Sequence, residues 1–333
     1  MPSLHRSRPS ALQKPTLSTA LPTRRDVEQA AERLQPWVRQ TPLVHSRHRR
    51  AWLKLENLQI TGAFKVRGAL NALLLQRERG DERPVMAASA GNHGAGIAWA
   101  AQQLGLRATV VVPHTAPESK IKRIESVGAR VIFQGERFDE SLLWAQHEAR
   151  RRGARFVHAF DDPEIIAGQG TLALELLKIQ PERVLIPIGG GGLAAGITLA
   201  LQGRGVQCIG VQVEGLDAMS LALGPRPCRI EPKYSLADGL RVGEPGRMTR
   251  VLCKAHLDGL VTVTEDQVRR SMVSLATREG LTVEGAAAVS VAALDQVPRG
   301  RNIAIVSGGN VDAVTFRKLM RRHHQEGLFD QEN

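Results

Sequence analysis

Val184, Leu185, Ile186, Pro187 and Ile188 form a run without a polar side chain, and four glycines follow before an apolar stretch opens at Leu193. A run of strand length that offers no polar face to water belongs in a sheet covered on both sides, which points to parallel strands joined by helices. The same unit recurs along the chain. Residues 85–89, 108–112 and 131–133 read as strands, each followed by a helical stretch, at 95–104, 119–127 and 141–151. A Gly-Asn-His turn separates the first strand from its helix, and residues 207–214 and 302–306 add further strands. A helix is expected from Thr23, with Asp26 and Glu28 as its start chemistry, to about Leu34 before Pro36. The class is therefore α/β, with mainly parallel sheets wrapped on both faces and no fixed-period repeat.

With 333 residues and 42% hydrophobic content the chain can bury a large core in about two lobes. No stretch approaches the roughly 18 consecutive apolar residues that cross a bilayer. Cys208, Cys228 and Cys253 are odd in number and widely spaced, which suggests neither a disulfide framework nor a zinc site and fits the cytoplasm. Net charge is +12, yet the basic residues are interleaved with acids and aromatics are only 4%, so specific nucleic-acid binding is not expected. Arg47 to Arg50 and Arg150 to Arg152 read as a solvated loop or a helix C-terminus. Residues 1–22, rich in Ser, Pro and basic residues, read as a disordered tail, and 324–333 as a second tail.

Three strand-to-turn junctions and one lysine carry the chemistry. Lys65 lies in Thr61-Gly-Ala-Phe-Lys-Val-Arg-Gly68 beside Phe64, where its amine can lose its charge and act as a nucleophile; the plain alternative is a surface lysine whose stem covers apolar surface. Gly189, Gly190, Gly191 and Gly192 end a buried strand and open a helix at Leu193, so their backbone N–H groups can hold a phosphate. A packed turn is the alternative. Neither dinucleotide-fingerprint spacing nor a Walker lysine accompanies them, which disfavours NAD and ATP. Ser89, Ala90, Gly91, Asn92 and His93 offer donors for a carboxylate, with the Asn92 amide able to reach a phenolic oxygen; a helix cap and a structural histidine are the plain readings. Ser307, before Gly308-Gly309-Asn310, offers a ring nitrogen a neutral hydroxyl, or is a turn serine. Lysine, phosphate cradle, amide and neutral hydroxyl together describe pyridoxal 5'-phosphate.

From about residue 23 to 320 the chain resembles the fold-type II pyridoxal-phosphate enzymes. Within them it is similar to the threonine/serine dehydratase (threonine ammonia-lyase) and serine racemase family, closest to a short dehydratase without regulatory domain. Besides the motifs above, Ile-Ala-Gly-Gln-Gly-Thr at 166–171, Leu-Ala-Asp-Gly at 236–239 and Val-Glu-Gly-Ala at 283–286 occur in the family's order. The resemblance implies two open twisted α/β domains, like those of the tryptophan synthase β subunit, with the cofactor in the cleft between them. It places 23–81 plus 159–323 in a large domain and 82–158 in a small mobile one, in a homodimer or higher homo-oligomer. It makes Lys65 the Schiff-base lysine, sets Asn92 against the ring oxygen, Ser307 against the ring nitrogen and residues 189–193 on the phosphate, and gives Ser89 to His93 the substrate carboxylate. Phe64, Gly239 and Glu284 match positions lining the cofactor. Ala90 stands where serine racemases carry the serine that serves the opposite face of the substrate, and a racemase needs an acid or base on each face. The expected reaction is therefore loss of water from an L-3-hydroxy amino acid, threonine or serine, to a 2-oxo acid and ammonia. A dehydratase for phenylserine or 3-hydroxyaspartate, a serine racemase and a non-catalytic anion-binding protein are the alternatives. Glu214 matches a cation ligand of some relatives, but Ser220 replaces the second carboxylate, which puts a divalent cation in doubt.

Overall fold

The computed structural model describes residues 20–329, so the expected tail is outside the described residues up to residue 19. Ten strands lie among them: β1 (Leu43–Ser46), β2 (Ala51–Leu55), β3 (Val85–Ala88), β4 (Ala108–Val112), β5 (Arg130–Phe133), β6 (Arg155–Phe156), β7 (Arg183–Pro187), β8 (Gln207–Val213), β9 (Gly259–Val263) and β10 (Asn302–Val306). They form two open sheets, one in the order β1-β2-β10-β7-β8-β9 and one in the order β5-β4-β3-β6. Every pairing is parallel except β1 with β2. This is a mixed α/β architecture of mainly parallel, open sheets, as expected. The apolar run at 184–186 is fully buried, as a central parallel strand must be.

Local chemistry sets the helix starts. Thr23 and Asp26 form a reciprocal capping box at Arg24–Leu34, and Thr264 with Gln267 forms another at Glu265–Glu279. Asp162 caps Pro163–Leu174, whose first residue is a proline that gives up no needed N–H. Two expectations need correction. The Gly-Asn-His segment is not a separate turn: the helix Asn92–Leu104 starts at Asn92, directly after Gly91. The C-terminal helix Ala313–Phe329 runs past residue 323, into the stretch read as a tail.

Three helices nest at their glycines. A Cβ on Gly168 would lie 2.6 Å from the Cα of Gly68, and one on Gly196 would lie 2.6 Å from the backbone nitrogen of Gly170. Pro163–Leu174 is thereby pressed against Lys65–Glu78 on one side and Gly192–Leu201 on the other, backbone to backbone. In the large sheet β7 and β10 are neighbours, so their carboxyl ends deliver residues 189–192 and Ser307 to one edge.

Candidate active site

Lys65 is the first residue of its helix, and the loop before it is stitched to the loop after β10. Phe64 N–H donates to the Ser307 carbonyl at 3.1 Å, Gly309 N–H donates to the Gly62 carbonyl at 2.9 Å, and Ala63 bridges Gly308. Gly62 has φ +75, and a Cβ there would fall 2.4 Å from Asn310 Oδ1, so both conformation and space demand glycine. The Lys65 amine sits 5.3 Å from the centre of the Phe64 ring and donates to the Ala159 carbonyl at 2.8 Å. Burial pushes its proton affinity down to about 8, while the Glu284 carboxylate opposes the fall. At a given pH below this value it holds roughly two and a half powers of ten more neutral amine than a free lysine, the difference between 10.5 and about 8.

From the first turn of that helix Arg67 spans two carboxylates, one fully buried and one partly. It grips Glu56 through Nε and Nη2, both at 2.8 Å, and Glu175 through Nη1 at 2.8 Å, and Lys54 pairs with the other oxygen of Glu175. Arg67, Lys54 and Glu56 are each at most 1% exposed. The paired Arg67 charge holds Glu56 below the usual carboxylate range although burial works the other way.

The glycine loop is packed on its outer side and uncapped at its helix end. A Cβ at Gly190 would lie 2.3 Å from the Phe160 ring, and one at Gly189 would lie 2.9 Å from the Leu240 Cα. Gly191 has φ +92 and is the N-cap of Gly192–Leu201 without a side-chain cap, so the first N–H groups of that helix are free for an anion. Leu193 is 5% exposed and packs into the core behind them. Thr249 Oγ donates to the Gly190 carbonyl at 2.7 Å, and the Asp161 carboxylate accepts from the N–H groups of Arg247 and Met248 at 2.9 and 2.8 Å. Gly239 is exposed, and its neighbour Leu240 is what touches Gly189.

In the loop after β3, Ser89 Oγ accepts the Gly91 N–H at 3.1 Å, and Ala90 is partly buried among apolar groups. The Asn92 amide is held at both ends: Nδ2 donates to Glu284 Oε1 at 2.8 Å, and Oδ1 accepts from Asn310 Nδ2 at 2.7 Å. Ser307 is 3% exposed, and among the described residues its hydroxyl has no protein partner. His93 is 2% exposed; its Nε2 faces the Val157 carbonyl at 3.2 Å, so the ring is turned into the fold, and its buried Nδ1 has no partner. Burial drives His93 to about 3 and His158 to about 4, each with Lys65 as a further depressing charge. Glu214 is exposed, and among the described residues no three His, Cys, Asp or Glu side chains gather to hold a metal ion.

The family described as pyridoxal-phosphate dependent enzyme matches residues 34–309 of this chain. The chain belongs to that family. The L-threonine ammonia-lyase of Thermotoga maritima is 41% identical over 315 residues, which covers 90% of this chain and 78% of that protein. A T.th. threonine deaminase superposes with a TM-score of 0.82 at 35% identity, covering 87% of this chain and 99% of that one. Maize serine racemase superposes with a TM-score of 0.85 at 27% identity, covering 92% and 99%.

A pyridoxal-phosphate dependent enzyme needs an amine for the aldehyde, donors for the phosphate and a group for the ring nitrogen. The amine of Lys65, the uncapped helix start at Gly192 and the unpartnered Ser307 hydroxyl fit those needs. Sequence reasoning missed the residues that shape them. Ala159 holds the lysine through a carbonyl, which carries no side-chain signal. Phe160 and Thr249 act by packing and by bonding the glycine loop, at positions outside any motif. Asp161 sits in Asp161-Asp162-Pro163, where one aspartate caps its own helix and the other caps the distant helix Arg247–His256; only the first role is legible locally.

Proposed function

We propose that this protein removes water from an L-3-hydroxy amino acid, L-threonine or L-serine, and releases a 2-oxo acid and ammonia. The Lys65 amine carries the reading: it is partly buried, its charge is half lost near pH 8, and the residue before it is bonded to the Ser307 carbonyl. Pyridoxal phosphate, when bound, supplies the electron-withdrawing ring that acidifies the substrate Cα–H. In this reading Lys65, once neutral, takes the Cα proton. The N–H groups of residues 189–193 would hold the phosphate, the Asn92 amide would face the ring oxygen, and Ser307 would give the ring nitrogen a hydrogen bond without a charge. Such a neutral partner would leave the ring a moderate electron sink, suited to loss of the β-hydroxyl. The loop and helix start from Ser89 to His93 would take the substrate carboxylate. With the His93 ring held by Val157, that segment contributes backbone N–H groups and the Ser89 hydroxyl.

The names of relatives acting on threonine, at 41% and 35% identity, support the substrate class. Ala90 opposes a racemase reading because it has no proton to give. The same proposal takes residues 82–158 as the unit that closes over the substrate, and a homodimer or larger homo-oligomer in the cytoplasm as the working form. The test is release of ammonia and 2-oxo acid from L-threonine, L-serine, phenylserine and 3-hydroxyaspartate, with chiral analysis of the remaining substrate. Lys65→Ala is expected to lose the visible absorbance of bound cofactor together with turnover. Inactivity on all four substrates, or racemised residual substrate, would overturn the proposal.

A further inference from the structure

Glu284 is a buried carboxylate to which the proposed reaction gives no task. It is 7% exposed, and it stands at the N-cap of Gly285–Ala292 without bonding the helix N–H groups. Its backbone N–H donates to the Gly308 carbonyl at 3.1 Å, and Oε1 presses on Gly308, where a Cβ would lie 2.4 Å from it. The same oxygen accepts the Asn92 amide at 2.8 Å. The other end of that amide accepts from Asn310 Nδ2, which also donates to the Thr61 carbonyl at 2.9 Å. An amide with an acceptor on one side and a donor on the other cannot turn over without losing both bonds, so its second N–H has one fixed direction.

The carboxylate also acts through its charge. Glu284 raises the proton affinity of Lys65 against the effect of burial. Glu284 itself is pushed up to about 7, by burial first and then by Asp238, while the Asn92 bond and the Lys120 and Arg123 charges pull it down.

We propose that Glu284 is a positioning residue that, together with Asn310, holds the Asn92 side chain in one orientation, so that its second N–H keeps one direction toward a bound cofactor. The inference rests on reading this site as the cofactor's. Glu284→Gln keeps a carbonyl oxygen for Asn92, Glu284→Asp shortens the arm, and Glu284→Ala removes the acceptor.

The measurement is pyridoxal phosphate affinity of the full-length chain, read by fluorescence titration. The expected result is Glu284→Gln within about threefold of the parent, with Glu284→Ala and Asn310→Ala each weakened about tenfold, the loss of one hydrogen bond's orienting effect. Unchanged cofactor affinity in both Glu284→Ala and Asn310→Ala, or a Glu284→Gln chain as weak as Glu284→Ala, overturns the proposal. Cofactor binding uses no substrate, so failure of the dehydratase reading is seen separately, in the oxo-acid assay.

Discussion

Lys65 and Glu284 each charge at a cost to the fold, with opposite signs in pH. The folded value of Lys65 lies below its unfolded value, so its penalty is absent above about 10.5 and fully present once pH falls below about 8. Lys65→Met is therefore expected to stabilise the cofactor-free chain by about 2 to 3 kcal/mol at pH 6 and by almost nothing near pH 10.5, measured by urea unfolding. Glu284 has its folded value raised, so its penalty is absent below about 4.5 and present above about 7; Glu284→Gln is expected to gain stability only at the higher end. A different cost attends the glycine loop. Gly190→Ala puts a methyl into the Phe160 ring and is expected to lose about 1 to 3 kcal/mol and most cofactor affinity, checked by unfolding and by cofactor titration. At this scale Lys65, the four glycines, Asn92 and Ser307 were visible in the sequence because each is a residue type with a chemical task at the end of a strand. The Ala159 carbonyl and the Phe160 ring were not, since a main-chain acceptor and a packing ring can be supplied by almost any local sequence.

The helix Lys65–Glu78 is held from below by charge. Arg67→Met leaves Glu56 buried without its partner and is expected to cost about 3 to 5 kcal/mol, and adding Glu56→Gln should recover part of it; denaturant midpoints of the single and double variants check this. That pairing also explains what the sequence concealed. β2 reads Ala-Trp-Leu-Lys-Leu, and a lysine there gives no sign that it will be 1% exposed, because the carboxylate of Glu175 that makes its burial tolerable lies 121 residues away. Strands read directly, such as 108–112 and 302–306, were apolar throughout or nearly so and needed no distant partner. The helix at Asn92 was expected three residues late, because Gly94 and Gly96 lower helix propensity. Space requires Gly94, where a Cβ would lie 2.2 Å from the Ser89 carbonyl; one on Gly96 would make a tight contact, 3.3 Å from the Lys65 backbone.

Across the whole molecule, the segment carrying the four-stranded sheet shares an apolar core with the helix Lys65–Glu78 and is also tied to the rest by charged side chains. Lys120 pairs with Asp238, Arg229 with Asp139, and Arg137 lies 3.8 Å from Glu231. Such exposed pairs are worth about 0 to 1 kcal/mol each and weaken as the Debye length falls from about 30 to about 3 Å between 0.01 and 1 M salt. Substrate KM is expected to rise up to about fivefold over that range with little change in kcat, and Lys120→Ala with Arg229→Ala should flatten the response in steady-state assays. The nested helices act on a different quantity. Lys65 opens one helix and Gly192 opens another, and the helix between them touches both at Gly168 and Gly170 with no side chain intervening. The molecule thus contains a caliper cut in main chain, whose jaws are an amine and a helix end. Its opening is set by backbone thickness, so neighbouring side chains can be exchanged to suit a new substrate while the span between the two anchors keeps its length.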